Sequence, residues 1–100
     1  MHIIYRTSKL RRQCEDASEA RRDYGQNMAV KLSQRIRELQ AVDSIEMLLQ
    51  FRIGRCHALT GNYMGCYAMD LVQPYRLLFE KAQAEDELHV VKIIAIKDYH

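Results

Sequence analysis

After Gly54 the hydrophobic periodicity of this 100-residue chain falls to two, and that change limits the fold more than any other feature. Upstream, Leu10, Cys14, Ala17, Arg21 and Tyr24 recur at spacings of three or four, and Met28, Leu32, Ile36 and Leu39 do so again in the next stretch. Such spacing lines up side chains on one stripe of a helix. Downstream the period falls to two through "RCHALT" and "CYAMDLV", and "YRLLFEK" and "LHVVKIIAIKDYH" continue as strands. Helices gathered in one half and strands in the other predict an α+β domain rather than alternating α/β units.

Punctuation along the chain sharpens this. "HIIYR" reads as a first strand. The first helix runs from Ser8 to Tyr24, where Gly25 offers a C-terminal stop. The second spans about Gln26 to Gln40, with Lys31, Gln34, Arg35 and Glu38 pointing away from its apolar stripe. "DSIEMLLQF" is a third, short helix, with Asp43 and Glu46 placed as a capping box. "GNYMG" supplies hairpin-turn chemistry, Gln73-Pro74 breaks the chain, and "AQAEDE" is the next turn. The expected architecture is an N-terminal strand and two to three helices packed on one face of a four- to five-stranded, mainly antiparallel sheet. A chain of this length holds one core, so residues 1–100 are read as a single domain.

Charge and cysteine content narrow the function classes. Fifteen Lys+Arg against thirteen Asp+Glu, a net +2, permit a polyanionic partner without demanding one. Arg6, Lys9, Arg11, Arg12, Arg21 and Arg22 concentrate the positive charge near the N-terminus, where a solvated helix face is the plainer reading. Cys14, Cys56 and Cys66 are odd in number and have no C-x-x-C spacing, which argues against a disulfide framework and against structural zinc. No apolar run approaches the roughly 20 residues of a membrane helix, and no signal-peptide pattern is seen. The expected compartment is the reducing cytoplasm, with the cysteines as core residues or idle thiols, and no cofactor or metal is expected.

Residues able to move protons gather at strand ends. Simple alternation along the last strand puts Leu88, Val90, Lys92, Ile94, Ile96, Asp98 and His100 on one face, and His89, Val91, Ile93, Ala95, Lys97 and Tyr99 on the other. His57 begins one strand, Arg76 begins the next but one, and Asp98, Tyr99 and His100 close the last; a short meander can bring them to one end of the sheet. Imidazoles, a phenol, a carboxylate and a guanidinium suit metal-independent RNA cleavage. A base takes the ribose 2′-OH proton, an acid protonates the departing 5′-oxygen, and a cation balances charge on the phosphorane-like transition state. Each residue also has a plain structural reading: His57 as a hydrogen-bonded strand residue, Arg76 in an ion pair with Asp70 or Glu80, and the terminal Tyr-His as a frayed end. His2 and His89 are assigned no role.

The segment "RIGRCHALTGNYMGCYAMDLVQPYRLLFE" and the terminal "IKDYH" resemble the HigB-like toxins of the RelE/ParE superfamily of bacterial type II toxin–antitoxin systems. "HALTG" matches the family's histidine strand, "YRLLFE" its arginine-leucine strand, and "DYH" its closing triplet. The resemblance implies a ribosome-dependent endoribonuclease that cuts messenger RNA in the A site. It implies that His57 and His100 transfer protons or orient RNA, and that Asp98 positions its neighbours. It further implies that Tyr99 stacks on a base or supports the site, that Arg76 meets the scissile phosphate, and that Arg52, Arg55 and Lys97 contact RNA. The implied partners are a cognate antitoxin, of helix-turn-helix type, the ribosome and messenger RNA, with a homo-oligomer left open and no membrane. The chain departs from the pattern at Thr60 and near Met64, where such toxins often carry cations. Three other readings stand beside it: a non-catalytic ParE-like inhibitor of a protein target, a degenerate toxin, and an antitoxin.

Overall fold

The computed structural model describes residues 1–82 and 89–98. Strand β1 (His2–Tyr5) leads into helices α1 (Ser8–Glu15), α2 (Ala17–Tyr24), α3 (Gln26–Ala41) and α4 (Ile45–Gln50). Strands β2 (His57–Ala58), β3 (Cys66–Asp70), β4 (Tyr75–Lys81) and β5 (Val90–Asp98) follow. They form one five-stranded sheet of order β1-β5-β4-β3-β2. β2 to β5 make an antiparallel meander, and β1 joins it parallel to β5, pairing His2 with Val90 and Tyr5 with Ile93. This is the expected α+β arrangement, with the helices on one face.

The core lies between that face and the helices. Met69, Leu77, Phe79, Val91 and Ile93 from the sheet pack with Leu10, Met28, Leu32, Ile36, Leu39 and Leu48 from the helices. Phe79 and Leu77 are fully buried, so truncating Phe79 to Ala would cost about 3–5 kcal/mol. The partly buried Tyr75 and Ile96 extend the same face toward the strand ends. Lys81, at the other end of β4, reaches Glu46 of α4 at 2.7 Å.

Five local expectations are corrected. The stretch from Ser8 to Tyr24 is two helices, because Asp16 leaves helical geometry (φ −113°, ψ 109°) and turns its carboxylate back to accept from the Ser18 backbone N–H. The cap of α4 is Ser44, whose hydroxyl accepts from Met47 N–H, rather than Asp43. Arg35 does not point away from the core: it is 8% exposed, its guanidinium satisfied by the Asp70 carbonyl and the Glu38 carboxylate. The strands from "RCHALT" and "CYAMDLV" are shorter than read, ending at Ala58 and Asp70, with a 3-10 turn over Gly61–Tyr63 between them.

The fifth correction concerns the last strand. Leu78 pairs with Ala95 but Phe79 pairs with Ile93, so a bulge at Ile94 interrupts the alternation. Beyond it the faces are exchanged relative to simple alternation. Ile96 therefore shares the helix-covered face with Val91 and Ile93, and Lys97 falls opposite. The "AQAEDE" turn beyond Ala82 and the first residue of the predicted last strand, Leu88, lie outside the described residues.

Candidate functional site

The sheet face turned away from the helices carries the charged residues. Register defines its membership: His57 pairs with Ala68, Asp70 with Arg76, and Arg76 with Lys97. Paired residues share a face, and so do residues two apart on one strand. His57, Ala68, Asp70, Arg76, Leu78 and Lys97 consequently occupy one surface spanning β2 to β5. Ala68 and Leu78 have no exposure although no helix covers this side. The β2–β3 connection approaches β5 through Tyr63, whose ring centroid lies 5.0 Å from the Lys97 ammonium.

Backbone geometry just before β2 fixes two more groups. Arg52, Gly54 and Arg55 all adopt left-handed φ, at 51°, 59° and 55°. For the two arginines this is an uncommon conformation that the surrounding packing has to hold. Gly54 admits no side chain here: a Cβ would come within 2.9 Å of the Arg35 Nε and of the Met69 methyl. Arg35 in turn donates from Nε to the Asp70 carbonyl oxygen at 2.6 Å. The α3 arginine thus ties the turn before β2 to the end of β3.

Asp70 faces two cations. Its carboxylate oxygens lie 3.4 Å from Arg55 Nε and 3.8 Å from Arg76 Nε. The expected plain reading of Arg76, an ion pair with Asp70, is present. His57 is oriented by its own turn, with Nδ1 3.0 Å from the Arg55 carbonyl oxygen. A carbonyl only accepts, so Nδ1 carries the proton and the neutral ring keeps its lone pair on Nε2. A ring in that state can take a proton at Nε2.

The remaining predicted residues divide differently. Arg55 and Lys97 join His57 and Arg76 on the open face. Asp98 pairs with Tyr75, and alternation places it with Ile96 on the helix-covered side, opposite Arg76. Arg52 stands exposed at the start of the turn. Tyr99 and His100 lie outside the described residues.

The cysteines behave as core thiols. All three are buried and none forms a disulfide, and burial pushes Cys14 up to about 12 and Cys56 to about 11. Burial also raises Cys66, with Glu80 adding to the effect. Raised values suppress thiolate and with it nucleophilic reactivity. No group of three or more His, Cys, Asp or Glu side chains suited to a metal ion occurs among the described residues. None of their helices is long and apolar enough to cross a membrane.

Sequence reasoning missed Arg35, Asp70 as a bridging carboxylate, and Tyr63. Arg35 had left a signal, since it stands three residues after Leu32 and four before Leu39, at stripe spacing. For Tyr63 there was none, because it lies in the turn between β2 and β3 and its contact is with Lys97 on β5, distant in sequence.

The fold is that of the YoeB/ParE toxins. Over the whole of both chains it matches the YoeB/ParE toxin from Agrobacterium tumefaciens with a TM-score of 0.65 at 15% identity. It also matches the YoeB–YefM complex from Staphylococcus aureus, with a TM-score of 0.63 at 17% identity, covering 100% of this chain and 98% of that one. A heterotetrameric YoeB–YefM toxin–antitoxin complex from the same organism gives 0.61 at 19%, with the same coverage. At these identities the likeness is one of fold. No family model and no curated protein matches the sequence.

Proposed function

We propose that this chain is the toxin of a bacterial type II toxin–antitoxin pair and that it is a HigB-like endoribonuclease, cutting messenger RNA in the ribosomal A site in the cytoplasm. The observation that carries the reading is the placement of His57, its Nδ1 held by the Arg55 carbonyl, on the same open sheet face as Arg55, Arg76 and Lys97. The full-length fold match to YoeB/ParE toxins, two of them solved as complexes with YefM, supports a toxin role and an antitoxin partner. The "DYH" ending supports the HigB type.

In this mechanism His57 Nε2 takes the proton from a ribose 2′-OH. The oxygen attacks the adjacent phosphorus, the bond to the 5′-oxygen breaks, and a 2′,3′-cyclic phosphate forms. Arg76 stabilises the charge on the equatorial oxygens. His100 is assigned the return of a proton to the 5′-oxygen and Tyr99 supports it, Asp98 positions these two neighbours from the side of the strand away from Arg76, and Arg52, Arg55 and Lys97 hold flanking phosphates.

A second reading, inhibition of a protein target without catalysis, is favoured by the Asp70 carboxylate that faces both Arg55 and Arg76. Matched expression of wild type, His57→Ala and His100→Ala in bacteria, with messenger-RNA ends mapped on translating ribosomes, tests both. Growth arrest with new cuts at A-site codons, lost in the variants, supports the ribonuclease. Arrest that survives both substitutions without new ends supports the protein-target inhibitor, and co-expression of the adjacent gene product tests the antitoxin.

A further inference from the structure

Two guanidinium groups from separate elements turn toward one carboxylate: Arg55 from the turn before β2 and Arg76 from β4, both toward Asp70 at the end of β3. The contacts, at 3.4 and 3.8 Å, are longer than the 2.7–2.9 Å of a charge-assisted hydrogen bond. One carboxylate spans the space between the two groups loosely. A tetrahedral phosphodiester, whose oxygens diverge in more directions, can reach both.

The accessibilities describe how an exchange would run. The Asp70 side chain is 15% exposed, Arg76 32% and Arg55 78%. Asp70 is also fixed from behind, because Arg35 holds its carbonyl oxygen. The Asp70 main chain is therefore the fixed part, while its carboxylate can turn out of the space between the arginines and Arg55 can swing onto an incoming anion. The Arg55 end of its pair lies mostly in solvent, where an ion pair is weak, so little opposes the movement of that side chain.

From this geometry we infer that Asp70 fills, in the free protein, the seat that a phosphate of single-stranded RNA takes between Arg55 and Arg76, and so limits how tightly the open face holds RNA. The choice of RNA as the polyanion rests on the ribonuclease reading above. The seat rests on the three side chains.

The test uses a short 2′-O-methyl RNA oligonucleotide, which cannot be cut at its 2′-oxygen, and follows its binding by fluorescence anisotropy between about 50 and 300 mM salt. Asp70→Asn should bind about three- to ten-fold tighter at the lowest salt. Its log K against log salt should be steeper by about 0.7 to 1.4, the equivalent of one or two added phosphate contacts on a single strand. Arg55→Gln should then cost more affinity when combined with Asp70→Asn than it does in wild type.

A folded Asp70→Asn protein with unchanged affinity and slope overturns the proposal, as does weaker binding or no binding by either protein. Wild-type protein supplies a readout that does not depend on the variant folding. The Asp70 carboxyl carbon and both arginine Nε resonances should shift together as the oligonucleotide saturates, and a stationary Asp70 signal at saturation also overturns the proposal. Cleavage on translating ribosomes is scored separately. Its absence removes the ribonuclease reading and leaves the seat standing, whereas cleavage with no binding change in Asp70→Asn does the reverse.

Discussion

The Nδ1 atom of His57 lies 3.0 Å from the backbone carbonyl oxygen of Arg55, two residues earlier and in a left-handed conformation. That contact orients the ring and favours the tautomer with its proton on Nδ1. His57→Gln keeps a polar side chain but no basic nitrogen, so cleavage should fall by about 10²- to 10⁴-fold, the usual share of a positioned acid–base group. Oligonucleotide binding should stay within about three-fold, for a lost neutral hydrogen bond. Nitrogen NMR of the wild-type ring should find the proton on Nδ1. Equal losses in binding and cleavage would assign His57 to RNA contact rather than to proton transfer.

Gly54 and Gly61 both have left-handed φ, 59° and 66°, but only Gly54 is crowded. Alanine at Gly61 meets nothing within 4 Å and should cost about 1 kcal/mol for the backbone conformation alone. Alanine at Gly54 must also displace Arg35, which cannot withdraw without releasing the Asp70 carbonyl and Glu38. Its cost should reach roughly 2–4 kcal/mol, with a buried hydrogen bond lost as well. Urea unfolding of the two variants checks the ordering; equal costs would mean that Arg35 is not a fixed strut.

Much of this architecture is legible in the chain, because the periodicities of "MAVKLSQRIRELQ" and "YRLLFEK" follow directly from burial on one side. The misreadings share a cause: each depends on a tertiary contact or a local hydrogen bond that competes with periodicity. Asp16 keeps the apolar spacing of a continuous helix while its side chain caps a new one. The bulge at Ile94 leaves no mark in a run of apolar residues, yet it decides which face Lys97 and Asp98 occupy. His57 and Arg76 were legible as candidates because their chemistry is uncommon in a strand. That Asp70 faces Arg55 as well as its expected partner Arg76 depends on the turn before β2 and on register between β3 and β4, which composition does not encode.

Tyr63 places an aromatic ring over the open face with Lys97 against it. Tyr63→Phe preserves the ring and should leave stability within about 0.5 kcal/mol of wild type. Tyr63→Ala removes the cation–π contact and should cost roughly 0.5–1 kcal/mol. Thermal unfolding checks this, and the Lys97 side-chain resonances should shift in Tyr63→Ala as the ring over them is lost. Unchanged stability in the alanine variant would mean that the ring does not rest on this face.

Buried thiols set how stability depends on alkaline pH. Cys14 and Cys56 ordinarily ionise at 9.0, but burial holds them protonated in the folded chain up to about 12 and about 11. Above pH 9 the unfolded chain loses these protons while the folded chain keeps them, so the unfolded state binds fewer protons and stability falls as pH rises. The stabilisation is complete below the unfolded value and is lost through the window from 9.0 to the folded values. Each thiol contributes a slope of at most about 1.4 kcal/mol per pH unit. Urea midpoints should therefore be flat in this contribution near neutrality and decline between about pH 9 and 11, with Cys14→Ala removing its share of the slope while lowering stability at every pH through its cavity. A decline of equal steepness in Cys14→Ala would place the titrating group elsewhere.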